Sequence, residues 1–271
     1  MSQTAVVTGA RGNLGQAFQR ELAAAWTIVP IGRDEMPTLE EKVPEACDVV
    51  VHAAFNLKDS LGAEPQRVIA DNVQSLAVTL NVAVKRGVKL FGLVSSAAVY
   101  GAVTCPKEDA ALTPVLVNGI VKVLCERMVV EVCRLHGIPF QIYRVFNLYG
   151  GTDTFSVVSK LLAHARGEAS NFKLNNGGEA VRDFVHVDDV ARIIVRLWSS
   201  AFRDGALNIG SGRAVRLKEL VTIVRDRYPS VRIAEGHATE VAGCVADPER
   251  LLRWVTPEWR DVGAWLADQL K

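Results

Sequence analysis

Two spacings in this chain carry chemistry. The first is Gly9, Gly12 and Gly15 in "VVTGARGNLG", where a short β-like run gives way to a segment of helical period. A tight turn, a backbone able to approach a pyrophosphate and a helix packed close to its strand each call for glycine, and the helix start offers amide donors to phosphate. Following a strand and preceding further βα units, the triplet reads as a dinucleotide site. The second spacing is Asn118 and Lys122 in "VNGIVKVLCE", four apart and so on one helical face. A partly desolvated lysine can be tuned toward neutrality and carry a proton, whereas a carboxamide has no titratable proton near neutrality.

The adenosine end of the dinucleotide is read from "PIGRDE", residues 30–35. A carboxylate at the end of the second strand would accept from the adenine ribose 2′-hydroxyl. Gly32 stands there instead, with Arg33 beside it and Arg11 inside the glycine loop. Room for a 2′-phosphate and two guanidinium groups to clamp it favour NADP over NAD. A one-residue shift would let Asp34 take the ribose hydroxyls, which is the argument for NAD.

These residues need a frame. Apolar runs of strand length, "TAVVT", "TIVPIG", "DVVVHAA", "LFGLVSS" and "FQIYRVF", alternate with helix-period segments at 13–25, 72–86 and 115–136. The alternation predicts an α/β fold, a Rossmann-type doubly wound parallel sheet covered on both faces. Pro30 is out of place in a central strand, because it cannot donate to the ladder. After Phe146 the pattern loosens into loops, a strand-like "AVRDFVHV", a helix from about 188 to 200 and short elements. Residues 1–150 plus about 186–212 are read as the dinucleotide-binding domain, and about 151–185 and 213–271 as a small C-terminal substrate-binding lobe. The segments "DNVQSLAVTLNVAVKRG" and "NGIVKVLCERMVVEVCRLHG" are apolar around most of their circumference. One side should meet the sheet, and the other the same helices of a second subunit in a four-helix homodimer contact.

Composition narrows the partners. The chain has 271 residues, 49% of them hydrophobic, enough for a full core, and its 31 basic and 30 acidic residues leave a net charge of +1. No broad field draws in nucleic acid or an anionic membrane. No apolar run approaches the roughly 18 residues of a membrane span, and "MSQTAVVTGARG" lacks the pattern of a signal peptide, so a cytoplasmic location is expected. Cys47, Cys105, Cys125, Cys133 and Cys244 form no C-x-x-C pair and no histidine-bracketed cluster. Neither a disulfide framework nor a metal site is expected, and the cysteines read as small buried apolar residues.

Nine signatures in order, "TGARGNLG", "DVVVHAA", "DNV", "VSSAAVYG", Lys122 with Glu126, "YRVFNLYG", "RDFVHVDDV", "LNIGSG" and "ADPERL", give the chain a family resemblance over nearly its whole length. It resembles the extended short-chain dehydrogenase/reductases, specifically the nucleotide-sugar-modifying NAD-dependent epimerase/dehydratase family. The resemblance implies that Gly9, Arg11, Gly12, Asn13, Leu14, Gly15, Arg33, Ala53, Ala54 and Asn72 line the cofactor, with Val145 and Phe146 beside the nicotinamide. Ser96 corresponds to the catalytic serine that hydrogen-bonds the reacting oxygen, and Lys122 to the lysine that holds the nicotinamide ribose. Asn147 and Arg182 correspond to contacts with the substrate diphosphate. His186 is read as structural.

The departure lies at Asn118, where the family has a tyrosine that gives or takes the proton as hydride moves. No tyrosine occurs between Tyr100 and Tyr143, so a register shift cannot restore it. Loss of a positioned acid/base typically costs about 10²–10⁴ in rate. Lys122 is the first candidate substitute, Tyr100 the second, and a water held by Asn118 and Ser96 the third. "SSA" at 95–97 lacks the Asp-Glu pair of the 4,6-dehydratases, which points instead to an epimerase or ketoreductase. The late arginine that gives the diphosphate a second grip is not recognisable, with Arg213, Arg232 and Arg250 as replacements. The alternative to an enzyme is a catalytically silent dinucleotide-binding sensor or regulator.

Overall fold

The computed structural model describes residues 3–22, 25–56, 65–169, 172–237 and 242–271. Six parallel strands form the central sheet: β1 (Gln3–Thr8), β2 (Trp26–Ile31), β3 (Val49–His52), β4 (Leu90–Ser96), β5 (Phe140–Val145) and β6 (Gly205–Ile209). Their spatial order is β6-β5-β4-β3-β1-β2. The order reverses between β1 and β3, and a crevice at such a switch point is where open α/β sheets take their ligands. β2 is an edge strand, so Pro30 lacks a donor only on the side where no neighbour needs one.

Alternate residues of each strand enter opposite cores, as a pleat requires. Ala5, Val7, Val49 and Val51 face α1 (Asn13–Leu22) and α4 (Val187–Trp198), packing on Phe18, Leu22, Ile194 and Leu197. Val6 and Val50 face α2 (Pro65–Arg86) and α3 (Val117–His136), packing on Leu76, Leu80, Val121 and Val129. The doubly wound expectation holds. α2 starts earlier than the apolar period shows, with proline at its first position, where a missing N–H is harmless. The last residues of the segment 13–25 fall partly outside the described residues.

β6, inside "GALNIG", is the strand the apolar pattern missed; it pairs parallel to β5 after the α4 crossover, with Leu207 opposite Tyr143. A separate core forms in the later part of the chain, in which helices Val157–Ala165, Leu217–Arg227 and Val262–Gln269 contribute Leu161, Leu220, Val224 and Leu266, while Leu251 returns to the sheet core. Cys47, Cys125 and Cys133 are buried as expected, whereas Cys105 is exposed and Cys244 half-buried. No helix among the described residues is long and apolar enough to cross a membrane.

Candidate functional site

The glycine loop is shaped by what surrounds it. Gly9 has φ +69°, and a Cβ there would lie 2.7 Å from the Ala54 backbone. A Cβ on Gly15 would lie 2.2 Å from the Gly9 carbonyl, so α1 could not approach β1 as it does. Gly12 meets only the Gly9 carbonyl at 3.2 Å, which leaves an open face above the turn. The first-turn amides of α1, which have no partners within the helix, lie behind that face. Ala53 and Ala54, at the end of β3, form the adjoining wall. Asn72 reaches this wall indirectly: its Oδ1 accepts from the Asn56 amide at 2.7 Å and its Nδ2 donates to the Val68 carbonyl at 2.8 Å.

Two residues assigned to the cofactor, Asn13 and Leu14, have their side chains engaged by the scaffold, which leaves their backbone amides at the start of α1. Asn13 Nδ2 donates to the Gly150 carbonyl at 3.0 Å, and Oδ1 accepts from the Thr152 amide at 2.8 Å, tying α1 to the 150–152 turn. The Leu14 side chain packs in the sheet core. A carboxylate does lie at the end of β2, that of Glu35, but both its oxygens are held within the chain, so it is not the free acceptor for a ribose hydroxyl that would decide for NAD. Its Oε2 accepts from the Gly32 amide at 2.7 Å and Lys42 holds its Oε1 at 2.6 Å. Arg11 lies 2.9 Å from where a Gly32 Cβ would be and pairs with Asp34 at 2.7 Å on the exposed surface, while Arg33 is exposed beside it.

β4 ends at Ser96, whose Oγ accepts from the Ala98 amide at 3.2 Å and caps a one-turn helix, Ala97–Tyr100. α3 approaches that turn closely: a Cβ on Gly119 would lie 2.5 Å from the Ala98 carbonyl. This contact brings Asn118 and Lys122 to the strand end. Asn118 is half-buried and its Oδ1 accepts from the Gly119 amide at 2.9 Å. Lys122, only 8% exposed, donates from Nζ to the Val94 carbonyl at 2.7 Å and lies 4.0 Å over the Phe55 ring. Burial pushes its ammonium down to about 8, against smaller upward pulls from Cys125 and Glu126. That is the condition in which a lysine exchanges protons near neutrality.

Tyr100 is placed differently from its reading as a proton carrier. It is fully buried, donates to Asn208 Oδ1 at 2.7 Å and accepts from Arg144 Nη1 at 2.8 Å. Burial pushes its phenol up to about 12, so the hydroxyl is committed to structure. Val145 and Phe146 are both buried. Asn147 donates through its amide and through Nδ2 to the Asp183 carbonyl, each at 3.0 Å, and Arg182 Nη1 donates to the Val181 carbonyl at 2.9 Å. Asp183 is a hub: its carboxylate accepts from Ser211 N and Oγ, Gly212 N and Ala246 N, joining three segments beside Arg182. His186 is structural as read, because Nδ1 accepts from the Asp188 amide at the start of α4 and from Arg260 at 2.7 Å.

His52 was missed by the sequence reading. It ends β3, fully enclosed, with Nδ1 2.9 Å from Thr8 Oγ1 and 3.1 Å from Thr79 Oγ1. Thr79 donates its own hydrogen to the Ser75 carbonyl, so toward His52 it can only accept. Burial, helped by the Lys122 charge, pushes this histidine down to about 3. A depressed histidine stabilises the fold above the ordinary pKa of 6.5 and loses that contribution as pH falls toward 3. Between pH 7 and pH 5 the site should cost about 2 kcal/mol of stability, at about 1.4 kcal/mol per pH unit below 6.5. Urea titrations at the two pH values should show that difference shrinking in His52→Gln.

A family model described as the NAD dependent epimerase/dehydratase family matches residues 5–210. A Bacillus subtilis protein named as an uncharacterized UDP-glucose epimerase, YtcB, is 24% identical over 210 residues, 75% of this chain and 66% of its own length. A GDP-6-deoxy-D-mannose reductase of Pseudomonas aeruginosa is 28% identical over 245 residues, 83% of this chain and 80% of its own. The solved UDP-glucose 4-epimerase of Thermotoga maritima, with UDP-glucose, superposes with a TM-score of 0.88 at 21% identity, covering 99% of this chain and 97% of that one. MoeE5 in complex with UDP-glucose and NAD superposes at 0.86 with 26% identity, over 98% and 97% of the two chains.

Proposed function

Because the chain belongs to the NAD dependent epimerase/dehydratase family, we propose that it is an NAD(P)-dependent epimerase or ketoreductase acting on a nucleotide sugar, with Lys122 moving the proton in place of the tyrosine that Asn118 replaces. The observation that carries this reading is the setting of the Lys122 amine: buried, over Phe55 and bonded to β4 two residues before Ser96, a burial that pushes its ammonium down to about 8. The relatives that act on UDP- or GDP-linked sugars by name support the substrate class.

The residues present suit a dinucleotide. The positions that would collide with a Cβ at Gly9 and Gly15, and the open face over Gly12, form a turn that backbone alone can line. Gly9, Gly12 and Gly15 would hold the pyrophosphate, and Lys122 the nicotinamide ribose. When bound, the dinucleotide accepts or supplies the hydride. In the oxidative direction neutral Lys122 takes the proton of a hydroxyl oriented by Ser96; in the reductive direction its ammonium returns one. Asn118 orients through its amide, and Asn147 and Arg182 face the diphosphate. A panel of nucleotide sugars with NADP(H) and NAD(H) tests the assignment, with turnover on at least one member expected.

NADP is the proposed cofactor. The Arg11–Asp34 pair is exposed, and such pairs are worth at most about 1 kcal/mol, so a 2′-phosphate can exchange for Asp34. Arg11→Ala should lower the preference for NADPH over NADH about tenfold, the loss of one charge-assisted contact, read from the two dissociation constants. The homodimer is proposed through α2 and α3: Leu116, Ile120 and Leu124, spaced four apart, are 62%, 52% and 43% exposed, with Ile69 of α2 at 42%. One observation favours the silent reading, that neither Asn118 nor the committed Tyr100 offers a proton. Cofactor binding without turnover across the panel would decide for it.

A further inference from the structure

Glu126 and Arg144 lie beneath the site, 3% and 6% exposed. Arg144 uses its whole guanidinium fork. Nε donates to both Glu126 oxygens at 3.1 and 3.2 Å, Nη2 donates to Oε2 at 2.7 Å, and Nη1 donates to the Tyr100 hydroxyl and the Glu108 carbonyl, each at 2.8 Å. Ser95 donates to Glu126 Oε1 at 2.5 Å. Tyr100 passes its hydrogen to Asn208, whose Nδ2 donates to the Pro106 carbonyl at 2.8 Å and whose backbone amide donates to Glu108 Oε1 at 2.9 Å.

The network therefore joins six parts of the chain: α3 through Glu126, the end of β4 through Ser95, the 97–100 turn through Tyr100, the segment 106–108, β5 through Arg144, and β6 through Asn208. Two of these carry the site. Glu126 lies one turn beyond Lys122 on the same face of α3, and Ser95 immediately precedes Ser96. The segment after Glu108 leads directly to Asn118. A buried ion pair is generally no more stabilising than an apolar pair of the same volume, so stability alone does not account for it. What a planar fork on a carboxylate does provide is a fixed distance and angle.

We infer that the Glu126–Arg144 pair is the positioning device of the site, setting the register of α3 against the end of β4 and so placing the Lys122 amine relative to the Ser96 hydroxyl. Both are positioning residues, since neither reaches the open face of the site. The inference rests on the proposed reading of Lys122 as the group that holds the cofactor ribose.

NADPH titration followed by fluorescence tests it in four proteins: wild type, Lys122→Ala, Glu126→Gln and the apolar pair Glu126→Met with Arg144→Met. Lys122→Ala should weaken NADPH about tenfold, the loss of one charged hydrogen bond. Glu126→Gln and the apolar pair should each weaken it about fivefold or more, the apolar pair while melting within a few degrees of wild type. A network that only stabilises the fold would leave affinity intact in a protein of matched melting temperature. Affinity unchanged in Glu126→Gln and the apolar pair, with Lys122→Ala weakened, would overturn the inference. Glu126→Gln, which keeps the side chain's length, decides the case if the double variant is too unstable to titrate. Unchanged affinity in Lys122→Ala itself would remove the ribose reading and the inference with it.

Discussion

Lys122→Met is expected to lower turnover on any productive nucleotide sugar by about 10²–10⁴, the range associated with losing a positioned acid/base. The protein should remain folded. Methionine fills a similar volume, and the Val94 carbonyl left without its donor costs about 1–3 kcal/mol. Against that, the wild-type ammonium is held near 8 rather than its ordinary 10.5, and a charge so disfavoured by burial destabilises the fold by about 3 kcal/mol, which the substitution relieves. The two effects roughly cancel, so the rate loss is not a folding loss. Turnover unchanged by Lys122→Met, measured at saturating NADP(H), would transfer the proton to a water ordered by Asn118 and Ser96.

The largest effect on stability is expected at Arg144. Arg144→Ala leaves the Glu126 carboxylate buried with only Ser95 to answer it, and removing one partner of a buried ion pair costs about 3–5 kcal/mol. A typical domain has about 5–15 kcal/mol in total, so the urea midpoint should fall by a large fraction of its wild-type value. Replacing both partners by methionine should recover most of that loss. A drop of less than about 1 kcal/mol in Arg144→Ala, typical of a surface pair, would mean that water reaches Glu126.

What could be read from the sequence follows the range of the interactions involved. The glycine loop and the alternating cores of β1 and β3 are local, and their residues declare themselves in order. Pro30 needed the sheet order, because its tolerance depends on β2 lying at the edge. Glu126 and Arg144 each appear as a charge inside an apolar segment, which was the available signal, but their pairing spans strand and helix. Tyr100 shows the converse: "VYG" places a tyrosine beside Ser96 in sequence, and only the fold shows its hydroxyl turned inward to Asn208. The Glu35 carboxylate at Gly32 was hidden because the side chain folds back over the end of β2 from three residues downstream. Asn13 sits where a cofactor ligand is expected, yet its partners lie near residue 150, far along the chain.

The central claim is that Lys122 carries the proton. It is tested most directly by the pH dependence of turnover in the wild-type protein, on whichever nucleotide sugar in the panel reacts. Oxidation should rise, and reduction should fall, through an apparent pKa near 8, the value to which burial brings the Lys122 ammonium. A profile without a limb in that region, or one that titrates only near the ordinary lysine value of 10.5, would contradict it.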